Sequence, residues 1–253
     1  MARADIGMLE WARRSRGRLS RGEQARMAGA AIGAQMRFMP ARLRYRLGLS
    51  RNLARVQVED LTSPDSSLCR QAEEILDERR PSEVVPHSHR TFAWARILAR
   101  HDQVEHDPEI LYVAALLHDL GLATPGSGEP RCFTLVGADR AEALAGEAGL
   151  GSESQRAVAE AITLHMNVNV PVEQGPEAHL LTAGAHLDVA GTRYWELSRA
   201  AIDTVLAKHP RRGSKPALAE LFRREAQINP ATRAAVYDRL TRGRHPLRAP
   251  FAE

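Results

Sequence analysis

The chain has little cysteine, few aromatic residues and no long apolar run. Only two of its 253 residues are cysteine, Cys69 and Cys132, and they do not form a pair with metal-binding spacing. We therefore expect two packed thiols in a reducing compartment. No apolar stretch approaches the roughly 20 residues that cross a bilayer, and no apolar core of a secretory signal is visible at the N-terminus. These absences predict a cytosolic protein without a transmembrane segment.

Residues that favour strands are also scarce, which indicates the fold class. Aromatic residues make up 5% of the chain, whereas alanine, leucine and arginine, which lose little side-chain freedom in helices, dominate. The chain is long enough for one main domain with an appendage. We predict an all-α fold, a compact helical bundle with an N-terminal helical extension.

Acidic residues are rare at the start of the chain. Residues 1–55 hold thirteen arginines and three acidic residues, a net charge of +10, which leaves −6 for the rest of a chain whose total is +4. This charge suits nucleic acid, an acidic membrane surface or an acidic patch on the same protein. Because no basic run with interleaved aromatic residues is present, we do not expect a nucleic-acid partner. We interpret residues 1–60 as an accessory extension and residues 61–253 as the main domain. The extension would cover the core of its own chain or that of a second copy, so a homo-oligomer stays open.

Capping residues and prolines predict where helices begin and end. Weak patterning at the N-terminus suggests two or three short helices broken near Gly17, Pro40 and Gly48. In the main domain we predict five helices, over residues 67–78, 86–100, 109–120, 152–166 and 176–191. Gly121 would stop the third, and Ser152 or Ser154 would cap the fourth. A Gly/Pro-rich loop over residues 124–130 would face a substrate.

The dipeptide His118-Asp119 is the strongest chemical signal in the chain. It ends an apolar run that begins at Ala114, and burying an imidazole or a carboxylate without a partner is expensive. A simple helix cap is the alternative, but the negative C-terminal end of a helix disfavours an aspartate. A bound cation relieves that cost, so we predict that this pair binds a metal.

Helical geometry chooses between two histidines upstream. His87 shares a face with Thr91, Trp94 and Leu98, whereas His89 shares one with arginines. His87 is therefore expected to point inward. An inward histidine is by itself more often a core residue than a ligand, so this position does not establish a metal site.

Two further polar residues fall on apolar helical faces. Asp188 follows Leu181 and Gly184 at helical spacing and needs a positive partner, either a metal or an arginine, for which Arg193 is the candidate. His165 follows Val158 and Ile162 in the same way. It suits proton transfer, metal ligation or core packing, and spacing does not decide among these.

The ordered set His87, His118-Asp119 and Asp188 resembles the H…HD…D signature of the HD superfamily of metal-dependent hydrolases. The resemblance covers about residues 65–240. His-Ser-x-Arg at 87–90 and Asp-Val-Ala-Gly at 188–191 are similar to the branch that includes cyanamide hydratase and uncharacterised bacterial HD proteins. The resemblance implies a helical bundle with the metal inside.

The same resemblance implies the roles of the site residues. One divalent transition metal, Zn, Mn, Fe, Co or Ni, would be held by His87, His118, Asp119 and Asp188. Water in an open coordination position would give a hydroxide nucleophile near neutral pH, and Asp119 would also orient it. His165 and Arg90 are the further catalytic candidates.

The expected activity is hydrolysis of a small-molecule substrate, a phosphate ester in the leading interpretation. Arg90, Arg131 and Arg193 are then candidate cations for the transferring oxygens. One alternative is a hydratase that acts on a nitrile-type substrate, similar to cyanamide hydratase. Another is a noncatalytic protein that binds a nucleotide or a partner. A dinuclear oxygenase is less favoured, since HD proteins of that kind add two histidines, whereas residues 133–137 supply none and His165 is the one well-placed candidate.

Overall fold

The fold is a bundle of α-helices, seen in a computed structural model that describes residues 6–51, 53–79, 81–123, 131–243 and 249–252. Within these residues no strand forms, and Ala54 and Leu197 make an isolated parallel bridge. The all-α prediction is confirmed. The helices are α1 Leu9–Ser15, α2 Arg21–Arg46, α3 Ser67–Arg79, α4 Val85–Asp102, α5 Pro108–Leu117, α6 Leu120–Ala123, α7 Phe133–Glu147, α8 Ser152–Leu164, α9 Pro176–Ala190, α10 Arg199–Lys208, α11 Ser214–Ile228 and α12 Arg233–Thr241.

Local sequence signals explain the ends of the helices that carry the site. Asp107 caps α5 by accepting hydrogen bonds from the backbone N–H groups of Glu109 and Ile110, at 2.8 and 3.2 Å, and Pro108 starts the first turn. Gly191 ends α9 in the left-handed conformation, with φ of 65°. The predicted bounds of α4, α5 and α9 are therefore close to the observed ones.

The second helix, α2, departs from the prediction. Instead of short helices broken near Pro40, α2 runs unbroken from Arg21 to Arg46 with Pro40 inside it. A proline removes one backbone hydrogen bond, and contacts on both sides of it, Phe38 against the Trp195 ring at 5.1 Å and Tyr45 against the Tyr194 ring at 5.3 Å, hold the helix on the body of the protein. The predicted break at Pro40 is wrong because tertiary packing outweighs the local penalty.

Gly121 also plays a different role from the one predicted. The chain turns at His118-Asp119 and starts the short helix α6, in which Gly121 lies, so this glycine is not a C-cap. A Cβ at Gly121 would lie 2.3 Å from the carbonyl oxygen of Phe133. The glycine is needed because the start of α7 passes directly over this turn.

Helix α5 forms the centre of the core, since every residue from Ile110 to Leu117 is buried. Helices α4 and α9 pack closely, with Gly184 of α9 against Thr91 of α4. The N-terminal segment also enters the core, through Leu9 and Trp11 of α1. The proposed boundary at residue 60 stays a prediction, although the first helix packs as part of the same body.

No helix among the described residues is long and apolar enough to cross a membrane. Cys69 and Cys132 are both buried free thiols in this structure, as expected from their number and spacing.

Candidate metal centre

Three side chains with metal-binding atoms meet inside the bundle. His87 comes from the first turn of α4, and His118 and Asp119 come from the turn that follows α5. Their ligand atoms all lie within 4.8 Å of one another. The Nε2 atoms of His87 and His118 are 3.2 Å apart, and the Asp119 Oδ2 atom is 3.4 Å from each of them. All three side chains are at most 2% exposed.

The other ring nitrogen of each histidine fixes which atom faces this cluster. His118 Nδ1 lies 2.8 Å from the carbonyl oxygen of Ala115, and a carbonyl only accepts, so Nδ1 carries the hydrogen. His87 Nδ1 likewise donates to Asp188 at 2.8 Å. The two Nε2 atoms therefore point into the same small space. Such convergence of two imidazole nitrogens and a carboxylate suits a divalent transition metal.

His165 lies beside the three-residue cluster. Its Nδ1 atom donates to the carbonyl of Ile162 at 2.7 Å, and its Nε2 atom lies 3.7 Å from the Asp119 Oδ1 atom. The His165 and His118 rings meet edge to face at 4.9 Å. Burial, together with the nearby His118, keeps the pKa of His165 well below its usual value, so its ring is neutral near pH 7.

Asp188 lies behind His87, on the side away from the Nε2 atoms. Its carboxylate accepts hydrogen bonds from Arg90 Nε and Nη2 at 2.8 and 3.0 Å, from Arg211 Nη1 at 3.0 Å and from Trp94 Nε1 at 3.0 Å, besides that from His87. It is not part of the group whose ligand atoms converge. Its role as a fourth ligand stays a prediction, and the observed contacts fit a residue that orients His87.

The charged groups around Asp188 shift one another's pKa values. Burial alone would raise the pKa of Asp188, but Arg90 and Arg211 hold it well below its usual value. Burial would lower the pKa of His87, yet hydrogen bonds with Asp119 and Asp188 raise it overall. Asp188 is therefore an ionised carboxylate in an environment that water barely reaches, and Arg90 and Arg211 are its positive partners.

Several residues singled out from the sequence lie away from the cluster. The His89 ring stacks on that of His209 at 5.2 Å. Arg131 pairs with Asp139, and Arg193 pairs with Asp102 and Glu196. The predicted pairing of Arg193 with Asp188 is therefore wrong, because that arginine lies on another ion-pair network. The predicted substrate-facing loop 124–130 lies outside the described residues.

Sequence reasoning missed two residues that contact Asp188. Arg211 follows α10, more than twenty positions downstream of Asp188, and no spacing pattern links the two. Trp94 was placed on the inward face of α4, but its hydrogen bond to Asp188 was not anticipated. One signal was present: Arg90 and Trp94 are four positions apart, so one helical face carries two donors.

The HD domain family model matches residues 84–243, more than half of the chain. The chain belongs to the HD domain family. Members of this family are typically metal-dependent hydrolases, and His87, His118 and Asp119 provide the cluster that such an activity requires. No curated protein matches the chain.

Proposed function

We propose that this protein is a metal-dependent hydrolase of a small-molecule substrate. The observation that carries the proposal is the convergence of His87 Nε2, His118 Nε2 and the Asp119 carboxylate in one buried space. With both Nδ1 atoms committed elsewhere, the two Nε2 lone pairs would repel each other unless a proton or a metal ion lies between them. A divalent ion there also has the carboxylate as a charged partner.

Each residue of the centre would have a separate role. His87, His118 and Asp119 would hold the ion, and Asp188 would keep the His87 ring in place through its Nδ1–H. When bound, the ion would supply a water of lowered pKa for attack on the substrate. The Arg90–Asp188 ion pair fixes the carboxylate, so we assign Arg90 a positioning role and not the contact with substrate predicted for it.

His165 is the candidate for proton transfer. Its Nδ1–H is committed to the Ile162 carbonyl, which leaves the Nε2 lone pair directed towards Asp119. A neutral imidazole in this position can accept a proton at Nε2 and later return it to a leaving group. His165 could instead act as an additional metal ligand. Replacing His165 distinguishes the two roles, because losing a ligand lowers metal affinity whereas losing a base lowers turnover alone.

A phosphate ester remains the leading substrate class, since metal-activated water suits attack on phosphorus. One observation favours a second candidate, hydration of a nitrile-type substrate. The three arginines suggested for phosphate, Arg90, Arg131 and Arg193, are all held in ion pairs with carboxylates of this chain. A small neutral substrate needs no such cation.

The test is a substrate panel with the metal-loaded protein. Phosphomonoesters, nucleotides and cyanamide would be assayed with Zn, Mn, Fe, Co and Ni in turn. We expect release of phosphate with at least one metal and its loss in His118→Ala, together with loss of bound metal by elemental analysis. His89→Ala is the matched control and should retain both.

Two outcomes would redirect the proposal. Conversion of cyanamide to urea, with no phosphate release, would select the hydratase. Tight metal binding without turnover of any substrate would leave a noncatalytic binding protein, and full metal occupancy in His118→Ala would contradict the metal centre itself.

A further inference from the structure

Helix α2 carries a line of large apolar side chains that face solvent. We call it the outer apolar stripe. The side chains are 55–66% exposed, and at about 100° per residue they fall within an arc of roughly 80°. They are Ile32, Met36, Met39, Leu43 and Leu47. A continuous exposed apolar strip of this kind usually marks a contact surface.

The opposite face of α2 is already occupied. Met27 is buried in the core, the Phe38 ring lies 5.1 Å from that of Trp195, and the Tyr45 ring meets that of Tyr194 at 5.3 Å. The helix therefore has two apolar faces, of which one is covered by the body. Because the covered face fixes the helix, the outer apolar stripe stays directed outward.

The charge around the stripe has one sign. Residues 24–58 contain seven arginines and no aspartate or glutamate. By helical rotation, Arg37 and Arg44 flank one edge of the stripe and Arg46 flanks the other, and all three are exposed. The partner of this surface must therefore be apolar in its middle and negatively charged at its margins.

A second copy of the chain does not fit these requirements. Leu49 follows directly after the stripe, and the other large apolar side chains exposed among the described residues are separated along the chain, as with Val172 and Ile228, and form no second stripe. A symmetric pair would then have to place α2 against α2. That arrangement would bring two sets of five arginines together without acidic partners, since Arg51 and Arg55 lie outside α2, and the repulsion would oppose association.

We propose that the outer apolar stripe binds a bilayer surface that contains anionic lipids. An amphipathic helix with basic margins lies in the interface, with its apolar side chains among the acyl chains. Arginine stems reach along the helix while their guanidinium groups stay with the lipid phosphates. Each arginine near an anionic surface adds to the attraction, which falls off within a Debye length. The body of the protein, with the metal centre inside, would then rest against the membrane from the aqueous side.

The test is flotation of the full-length protein with lipid vesicles. In 0.1 M NaCl we expect binding to vesicles of phosphatidylcholine and phosphatidylglycerol at 7:3, and at least tenfold weaker binding to phosphatidylcholine alone. Met36→Glu/Leu43→Glu should lower the partition coefficient at least tenfold, because two apolar contacts are lost and two negative charges face the lipid. Raising NaCl to 0.5 M should weaken wild-type binding by screening.

Ile228→Glu is the matched control, since Ile228 is 59% exposed but lies on α11. It should bind as the wild type does. All three proteins would be compared by circular dichroism and light scattering, so that misfolding is excluded. Equal binding to both vesicle types, or unchanged binding of the glutamate variant, would overturn the proposal. So would a wild-type dimer that the variant converts to a monomer, which would assign the stripe to a second copy, or binding confined to duplex DNA.

Discussion

Replacing Asp188 by asparagine tests most directly whether this residue orients His87 and balances the two buried arginines. The substitution keeps the size of the side chain and an oxygen that can accept from His87 Nδ1. It removes the negative charge that faces Arg90 and Arg211, which are 0% and 2% exposed. Because each arginine pairs with this carboxylate in the interior, two buried cations lose their counter-ion.

The structure sets the size of the effect. The Asp188 carboxylate accepts five hydrogen bonds, three of them from guanidinium groups. Removing one partner of a buried ion pair costs about 3–5 kcal/mol. In a protein of this length that corresponds to a fall in Tm of roughly 6–20 °C. We expect Asp188→Asn to lie in this range when it is compared with wild type in a chelator.

The assay is thermal and urea unfolding of the metal-free proteins, followed by metal titration. Asp102→Asn is the control, because Asp102 pairs with Arg193 near the surface, where such a pair contributes about 1 kcal/mol or less. As an orienting residue, Asp188 should change metal affinity about 10- to 100-fold without abolishing binding. A metal-free loss of stability below 1 kcal/mol, or complete loss of metal with normal stability, would refute this reasoning and favour direct ligation.

Three further predictions concern other parts of the molecule. His87→Ala should lose metal while His89→Ala keeps it, since the two lie about 200° apart on the helix, and elemental analysis checks this. Burial raises the pKa of Glu225 to about 7, so the folded state holds a proton that the unfolded chain releases above about pH 4.5. Wild-type stability should therefore fall between about pH 4.5 and 7, and Glu225→Gln should remove this fall in urea titrations. A Cβ at Gly184 would lie 2.3 Å from the Thr91 carbonyl oxygen, so Gly184→Ala should lower the Tm, whereas Gly33→Ala, with open space around it, should raise it slightly.

The sequence by itself determined the helical character, several helix bounds and three side chains that meet inside the bundle, those of His87, His118 and Asp119. Asp107-Pro108 and Gly191 act locally through caps and backbone conformation, so α5 and the end of α9 could be predicted from neighbouring residues alone. The phase of α4 selected His87 over His89 in the same way, because helical periodicity depends on position in the chain and not on distant contacts.

Tertiary structure decided what local rules could not. The helix continues through Pro40 because Phe38 packs on Trp195, and Gly121 lies inside a helix because Phe133 packs on the turn after His118. In both places packing between residues far apart in the chain outweighs a local preference. The pairing of Asp188 with Arg211 joins α9 to the segment that follows α10, and no sequence period encodes it. A spacing pattern shows which side chains share a helical face, but the atoms that a carboxylate touches depend on how the helices pack, so Asp188 could be recognised as important from the sequence while its partners could not.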